Sequence, residues 1–289
     1  GKSAGERAGQ MGKYKATIII LNWNGLHLLR RCLPSVIKAV NYDGGGHDIL
    51  VVDNGSTDGS VQFVLHNYPG VGVLPLPENR GFVGGYNAGL AIARQHLVVL
   101  LNNSAWVRQD FLTNLLVHFD SPDVFAVAPK ILTPTGLIEV EYLHATWDSR
   151  GIIGQKQPGF NEPDRGKVAG PCYTFYAPGG CSAFNKTKLM ALGWFHPIFA
   201  PFHWEEVDIS YRAWNNLEAY MQVKDVLEGK ADKSTLGPIP LDYYNGIKKY
   251  QQGDNDSWSA QMCYEAVMNC TRLYKDKNLF MNDMSYFAI

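Results

Sequence analysis

The chain has 289 residues, of which 46% are hydrophobic and 18% charged, a composition typical of a soluble globular protein. Its formal net charge of −1 gives no global field for binding nucleic acid or an acidic membrane. The longest apolar runs, such as residues 97–101, are far shorter than the roughly 20 residues that span a bilayer. Five scattered cysteines predict reduced thiols in a cytoplasmic protein, and only an oxidising setting would join Cys172 to Cys181.

The chain begins with a β-α-β pattern. Residues 1–15 are polar and glycine-rich, and they predict a disordered tail without a signal peptide. A buried strand at 17–21 leads into a helix whose apolar residues follow the helical period, and a second buried strand follows at 49–52. A short connection and a right-handed crossover make the two strands parallel neighbours.

Asp53 stands at the carboxyl end of the second strand, just before a turn at Gly55. Ligands of open α/β sheets bind outside the carboxyl ends of the strands, so Asp53 is placed to read a base or a ribose. The alternative is a turn residue that hydrogen-bonds only to its own loop. Ser56 or Thr57 is predicted to cap the next helix, which starts near Gly59.

A glycine-rich segment at 78–89 follows a predicted helix at 61–68 and a third strand at 71–75. It precedes a helix predicted at 88–95, and its free backbone N–H groups can meet an anion or a ribose. The glycines can equally serve close packing of a helix on the sheet.

A fourth strand at 97–101 is very apolar and is therefore predicted to lie centrally in the sheet. Each of the four strands ends in a polar cluster, and parallel pairing puts the clusters on one edge of the sheet. They are residues 22–24, 53–56, 79–80 and 102–104. This coincidence predicts a nucleotide-binding α/β domain.

Four motifs carry a resemblance to a known family. They read Ile-Ile-Leu-Asn-Trp-Asn-Gly from Ile19, Val-Val-Asp-Asn-Gly-Ser-Thr-Asp-Gly-Ser from Val51, Glu-Asn-Arg-Gly-Phe-Val-Gly-Gly-Tyr-Asn-Ala-Gly from Glu78 and Leu-Leu-Asn-Asn from Leu100. In this order and spacing they resemble the inverting family 2 glycosyltransferases, and most closely the rhamnosyltransferase-like branch. The resemblance covers about residues 16–276.

The resemblance implies a GT-A fold with one mostly parallel sheet flanked by helices. A nucleotide-sugar-binding half (16–130) and an acceptor-binding, catalytic half (131–276) would share this sheet, followed by a tail at 277–289. Asp53 would read the base of the donor, and polar neighbours would surround the nucleoside and the sugar-phosphate. The implied nucleotide-sugar-binding residues are Asn22, Asn24, Asp53, Asn79, Arg80, Gly81, Asn87, Asn102 and Asn103.

Ser104 departs from the family pattern. Members usually end the fourth strand on Asn-Asn-Asp or Asp-x-Asp, and the last Asp binds Mg²⁺ or Mn²⁺ at the diphosphate. A neutral hydroxyl is a poor replacement for an anionic ligand of a hard cation, although Asn102 can still offer an amide oxygen. A metal site therefore stays open. Members also often have a His where this sequence has Lys230 and Lys233, which would neutralise diphosphate charge or lie in a solvated loop.

The chain continues with a helix at 111–119 and a strand at 125–128. The long segment 133–167 has little periodicity and is predicted to be a functional loop, on the acceptor side by resemblance, or a surface insert. A strand-like stretch at 173–176 and a helix at 186–191 follow.

Glu205 and Glu206 start a predicted helix directly after the aromatic run 199–204. Carboxylates there also suit the positive end of the helix dipole, which is the structural alternative. Side by side among aromatic residues they would repel, and the raised pKa of one would make it a general base. The segment resembles the family's Phe-x-x-Glu-Asp-x-Asp-x-x-x-Arg, which makes Glu206 the base. Asp208 and Arg212 are interpreted as structural.

The resemblance implies transfer of a hexosyl or rhamnosyl group, with inversion, from a dTDP-, UDP- or GDP-sugar to a hydroxyl of a glycan or lipid-linked acceptor, in polysaccharide biosynthesis of the bacterial cell envelope. The alternative is a catalytically impaired module of the same fold that binds a nucleotide-sugar or a glycan. A terminal helix is predicted at 258–276 and no membrane helix follows it, so membrane contact would be peripheral, at the inner face.

Overall fold

The computed structural model describes residues 12–121, 124–140, 143–147, 153–157, 159–164, 172, 174, 176–200, 205–210 and 212–213. Several sequence predictions lie wholly or partly outside these residues: the tail at 1–11, most of the aromatic run at 199–204, Tyr173, the lysines at 230 and 233, and the terminal helix at 258–276.

The strands in chain order are β1 (Ala16–Asn22), β2 (Asp48–Asp53), β3 (Gly72–Pro75), β4 (Leu97–Asn102), β5 (Ala126–Val127), β6 (Ile131–Leu132), β7 (Ile138–Val140), β8 (His144–Trp147), β9 (Ile153–Lys156) and β10 (Cys181–Asn185). Six of them form one sheet in the order β3-β2-β1-β4-β10-β5. The first four in that order are parallel, and β10 runs antiparallel to both of its neighbours. The four predicted parallel strands and the central place of β4 are confirmed.

The helices in chain order are α1 (Leu26–Tyr42), α2 (Ser60–Asn67), α3 (Gly81–Ile92), α4 (Phe111–Leu116) and α5 (Lys186–Ala191), with 3₁₀ turns at Val117–Asp120 and Pro197–Phe199. Residues 205–210 are also helical, as predicted. In the described part of the chain, no helix is both long enough and apolar enough to cross a membrane.

The sheet separates two hydrophobic cores. Successive strand residues point to opposite faces, so Ile18 and Ile20 pack with α1, α2 and α4, whereas Ile19 packs with α3. Helices thus cover both faces of the sheet and leave the carboxyl ends of β1, β2 and β4 at an uncovered edge. The polar clusters of the sequence lie at this edge.

The start of α3 differs from the prediction. The helix begins at Gly81 and not at 88, so most of the glycine-rich segment is inside it. A Cβ on Gly89 would lie 2.8 Å from methyl groups of Ile19 and Val52, and one on Gly85 would lie 2.4 Å from Leu21 Cδ1. These two glycines therefore let the helix approach the sheet closely. This agrees with the second interpretation of the glycine-rich segment, in which its glycines serve helix–sheet packing.

Other differences concern short elements. Thr174 and Tyr176 are not in a strand, so the strand predicted at 173–176 is wrong where it is described, and the missed strand is β10. The segment 133–167 contains β7, β8 and β9. Residues 12–15, assigned to the tail, make contacts, since the Lys13 and Tyr14 side chains donate to Asp120. No disulfide joins Cys172 to Cys181.

Candidate functional site

The carboxyl ends of β1, β2 and β4 are joined by side-chain hydrogen bonds. Asn22 Nδ2 donates to Asp53 Oδ1 at 2.9 Å, and Asn103 Nδ2 donates to Asn22 Oδ1 at 2.7 Å. Ser56 N donates to Asp53 Oδ2 at 3.0 Å. Asn22 is fully buried and Asp53 is 2% exposed. The bond of Asp53 to its own loop is thus present, and its role in reading a base stays a prediction.

A second network fixes the start of α3. Asn54 Oδ1 accepts from Arg80 N at 2.9 Å, and Asn54 Nδ2 donates to Asn79 Oδ1 at 2.8 Å. Asn79 Oδ1 also accepts from Gly81 N at 2.8 Å. Gly81 has a φ of 68°, a conformation that favours glycine. The turns after β2 and β3 are therefore held together by side-chain hydrogen bonds.

The loop after β1 presents an exposed aromatic side chain. Asn24 has a φ of 46° and binds the loop after β2: its backbone N–H donates to Ser56 Oγ, and its Oδ1 accepts from Thr57 N, each at 2.8 Å. This turn leaves Trp23 57% exposed. Trp23 therefore stands on a loop that the fold holds in place.

Asp58, and not Ser56 or Thr57, bonds to the start of α2, so the predicted cap is wrong. Asp58 Oδ1 accepts from Ser60 N at 3.0 Å, and Oδ2 accepts from Leu26 N, the first residue of α1, at 2.8 Å. Partial burial raises the pKa of Asp58, but the hydrogen bonds from Ser60 and Leu26 outweigh it and leave the pKa below its ordinary value. Ser56 Oγ is already used by Asn24.

A cavity of about 590 Å³ opens at this edge. This is within the range of small-molecule sites. It is lined by Leu21, Trp23, Leu28, Asn54, Asn79, Gly81, Phe82, Asn102, Asn103 and Ser104. Among the described residues, no side chain that lines the cavity carries a charge.

The predicted site residues fall into three groups. Asn79, Gly81, Asn102, Asn103 and Ser104 line the cavity. Asn22 and Asp53 are buried and support the lining through their hydrogen bonds, while Asn24 and Arg80 are exposed on the adjoining turns.

Asn87 is not in the cavity wall. Its Nδ2 donates to Phe195 O at 2.7 Å, and its Oδ1 accepts from Phe195 N at 3.3 Å. The side chain thus ties α3 to the segment after α5. These contacts do not support the predicted nucleotide-binding role.

Several lining residues were missed by sequence reasoning. Trp23 and Phe82 stand inside the motifs, so their position was the available signal. Leu28 was interpreted only as part of the apolar face of α1. Gly25 is a further supporting residue, because a Cβ there would lie 2.2 Å from Asn103 Nδ2 and 2.6 Å from Asn22 Oδ1.

Tyr86 connects the cavity to the segment with the two glutamates. It is fully buried, and its hydroxyl donates to Asn102 Oδ1 at 3.3 Å. Burial raises the pKa of Tyr86 well above its ordinary value, and the acidic groups of Cys181, Cys32 and Glu205 nearby act in the same direction. Glu205 is therefore close enough to act electrostatically on a side chain that contacts the cavity wall.

Glu205 and Glu206 differ in burial. Glu205 is 3% exposed and Glu206 is half-buried, and the Oε2 atoms of both are shielded from solvent. Asp208 accepts from Arg212 Nε at 3.0 Å, and Arg212 Nη2 also donates to Trp194 O at 2.7 Å. These contacts favour the structural interpretation of Asp208 and Arg212.

A divalent cation does not fit the residues of the cavity wall by their own chemistry. Mg²⁺ and Mn²⁺ prefer anionic oxygen ligands, and this wall offers amides and a hydroxyl. Asp53 accepts hydrogen bonds on both oxygens and is almost fully buried. Nowhere in the described ranges do three His, Cys, Asp or Glu side chains come together as a metal site requires.

The sequence profile of Glycosyl transferase family 2 matches residues 17–192, more than half of the chain. The chain belongs to this family. The hydrogen-bonded residues at the carboxyl ends of β1, β2 and β4 therefore lie in the matched part, whereas Glu205 and Glu206 lie beyond it.

Relatives of this family 2 chain agree with the assignment. A pre-mycofactocin glycosyltransferase of Mycobacterium tuberculosis is 30% identical over 147 residues, covering 49% of this chain and 28% of the relative. An uncharacterized glycosyltransferase of Nostoc sp. is 30% identical over 116 residues, covering 39% and 35%. The chain thus spans about a third of these relatives or less.

Solved structures agree with the fold. GalNAc-T7, crystallised with UDP, GalNAc and Mn²⁺, superposes with a TM-score of 0.54 at 18% identity, over 70% of this chain and 40% of that one. The predicted GT-A fold is confirmed. The rhamnosyltransferase-like branch stays a prediction.

Proposed function

We propose that this family 2 chain transfers a sugar from a nucleoside diphosphate donor to an acceptor hydroxyl. The observation that carries the proposal is the cavity at the carboxyl ends of β1, β2 and β4, in which hydrogen bonds hold the amide side chains of Asn79, Asn102 and Asn103 against a mostly apolar lining. Ligands of α/β sheets bind at this edge. The donor nucleoside would lie between Trp23 and the Asn79–Gly81 turn, with Asp53 below as the reader of the base.

The proposed reaction inverts the anomeric centre. Glu206 takes the proton of the acceptor hydroxyl, whose oxygen forms a bond to the anomeric carbon as the bond to the diphosphate oxygen breaks on the opposite face. The nucleoside diphosphate leaves with the electron pair of that bond. Glu206 suits the base because it is the more exposed of the two glutamates, and the buried Glu205 suits a supporting role.

The donor would be a dTDP-, UDP- or GDP-sugar, and the acceptor a glycan or a lipid-linked glycan. Hexosyl or rhamnosyl transfer in the synthesis of a cell-envelope polysaccharide, at the cytoplasmic face of the membrane, completes the proposal. The buried, free Cys32 and Cys181 are compatible with a reducing compartment.

A second candidate function is binding of a nucleotide-sugar without turnover. The observation that favours it is the uncharged cavity wall, which lacks the anionic metal ligand of the family at Ser104. The two candidates share the donor site and differ in catalysis alone.

Thermal unfolding in the presence of UDP-, GDP- and dTDP-sugars tests the shared part. A ligand that binds only the folded chain raises the midpoint in a concentration-dependent manner. We expect the nucleotide-sugars of one base to raise the unfolding midpoint, and an equal concentration of the matching free sugar to leave the midpoint unchanged. If no nucleotide-sugar shifts the midpoint, both candidate functions are wrong.

A further inference from the structure

The hydrogen bonds behind the cavity decide which atoms its amides present. A backbone N–H can only donate, so Gly81 N identifies the Asn79 atom that it contacts as the oxygen. Asn54 Nδ2 donates to the same oxygen. Asn79 Oδ1 is therefore used inside the fold, and Nδ2 is the atom that remains for a ligand.

Tyr86 orients the amide of Asn102 in the same way, with its oxygen bound inside the fold. A phenol buried this deeply needs an acceptor for its proton, and Asn102 Oδ1 at 3.3 Å is that acceptor. Burial raises the pKa of Tyr86, so the hydroxyl keeps the proton that it donates. Asn102 Nδ2, in contrast, donates to no group within the described residues. A Cβ on Gly180 would lie 2.7 Å from this nitrogen, so Gly180 provides the space for it.

Asn103 and Ser104 complete the wall. Asn103 Nδ2 donates to Asn22 Oδ1, which leaves Asn103 Oδ1 as an acceptor suited to a sugar hydroxyl. Ser104 is exposed and offers a hydroxyl. The wall thus presents the N–H groups of Asn79 and Asn102 and the O–H of Ser104. Hydrogen-bond donors bind phosphate oxygens directly, and they repel a cation.

We propose that the diphosphate subsite of this chain binds its ligand directly through the side-chain donors of Asn79, Asn102 and Ser104, without a divalent cation, and that Tyr86 is the positioning residue that makes Asn102 a donor. The proposal rests on the proposed function, since it concerns the same nucleotide site. It replaces the sequence expectation that Asn102 offers its oxygen to a metal.

Isothermal titration of UDP, GDP and dTDP tests the proposal, with each nucleotide measured in EDTA and in excess Mn²⁺. For the unmodified chain we expect the two Kd values of the bound nucleotide to agree within about twofold. Tenfold or tighter binding that depends on Mn²⁺ would overturn the proposal and leave the nucleotide site intact. No binding in either condition would overturn both the proposal and the proposed function.

Tyr86→Phe tests the positioning role, with Tyr42→Phe as the control because Tyr42 is 41% exposed at the end of α1. Without the phenol, Asn102 is free to turn its oxygen to the ligand. In EDTA we expect affinity to fall about tenfold or more, the worth of one hydrogen bond to a charged group, and Mn²⁺ to restore part of it. Equal weakening in EDTA and in Mn²⁺ would show general damage and overturn the role of Tyr86.

Ser104→Asp provides a second test at an exposed position, where folding is not at risk. A carboxylate repels the diphosphate, so we expect binding about tenfold weaker in EDTA and a clear gain on addition of Mn²⁺. A variant that binds equally in both conditions would place the diphosphate away from Ser104 and overturn the proposed subsite.

Discussion

Asn22 donates its amide to Asp53 across the ends of β1 and β2, at 2.9 Å and out of contact with solvent. The strand register puts these two residues directly opposite each other. The pair is the centre of the candidate site, because Asn103 binds Asn22 and Ser56 binds both members. Changes at the pair should therefore affect the cavity before they affect the rest of the fold.

Asp53→Ala should abolish measurable nucleotide binding and keep a single cooperative unfolding transition. Loss of the carboxylate removes the acceptor of Ser56 N and leaves Asn22 Nδ2 with only Ser56 Oγ, at 3.3 Å. An unsatisfied buried group of this kind costs about 1–3 kcal/mol. Asp58→Ala is the matched control, since it removes a carboxylate from the same loop that bonds to Leu26 and Ser60 outside the cavity. Titration calorimetry should show unchanged nucleotide affinity for Asp58→Ala. Equal affinity in both variants would remove Asp53 from the site.

Gly25→Ala should disrupt the cavity through packing alone. The added methyl group would lie 2.2 Å from Asn103 Nδ2, so the bond between Asn103 and Asn22 cannot persist. Overpacking of this kind costs about 1–3 kcal/mol in the free energy of unfolding. Gly70→Ala is the control, because nothing lies within 4 Å of its added methyl group. Urea unfolding should show a loss for Gly25→Ala and no loss for Gly70→Ala. Wild-type stability in Gly25→Ala would contradict the predicted packing.

Arg212→Met should strongly lower the free energy of unfolding. Asp208 is 2% exposed, and removal of its partner leaves a buried charge, at about 3–5 kcal/mol. Two backbone carbonyls, of Leu192 and Trp194, also lose a donor. Arg108→Ala breaks an exposed pair with Asp110 and should cost less than about 1 kcal/mol. Comparable midpoints of denaturation for the two variants would contradict this assignment.

His47 should make the fold sensitive to acid. Ala16 N donates to His47 Nδ1 at 3.2 Å, so the neutral ring donates its Nε2–H to Asp43 at 2.9 Å. Burial lowers the pKa of His47 and outweighs the opposing effect of Asp43. The unfolded chain therefore binds more protons at this site than the folded chain does. The contribution of the neutral His47 to the free energy of unfolding is fully present above the unfolded pKa of 6.5, and it is lost as the pH falls below that value.

His47→Gln tests this pH dependence. The variant should be less stable than the wild type at pH 8 and should lose less stability between pH 7 and pH 5, measured by urea unfolding with the pH 8 value of each protein as its reference. His196, whose pKa burial also lowers, contributes a remaining slope of the same sign. A variant with the full wild-type slope would exclude His47 as the source.

The parallel half of the fold was predictable because each strand is a short apolar run that ends in a polar turn. The start of α3 was not, because glycine has low helix propensity and the reason for Gly85 and Gly89 is contact with β1 and β2. The contact of Asn87 was not predictable for a similar reason: its partner Phe195 is 108 residues away in the chain. The orientation of the amides in the cavity depends on such distant partners and was out of reach of sequence reasoning.

The site residues show the same division. The positions of Asn79, Asn102, Asn103 and Ser104 in the cavity wall were predictable, because the motifs mark the strand ends. Tyr86 lies within the third motif, but its sequence position predicts only a core residue of a helix. The contact of its hydroxyl with Asn102 is visible only in the structure.

Release of nucleoside diphosphate by the unmodified chain and by Glu206→Gln is the measurement that tests glycosyl transfer most directly. Each protein would be incubated with the UDP-, GDP- and dTDP-sugars, and Glu205→Gln would be measured beside them. We expect turnover of the donor whose base the cavity binds, lowered about 10²–10⁴-fold by Glu206→Gln with unchanged nucleotide affinity, as the loss of a general base requires. Turnover that survives Glu206→Gln and fails in Glu205→Gln would exchange the two roles. The absence of turnover from every donor, despite nucleotide binding, would contradict glycosyl transfer and favour the binding module.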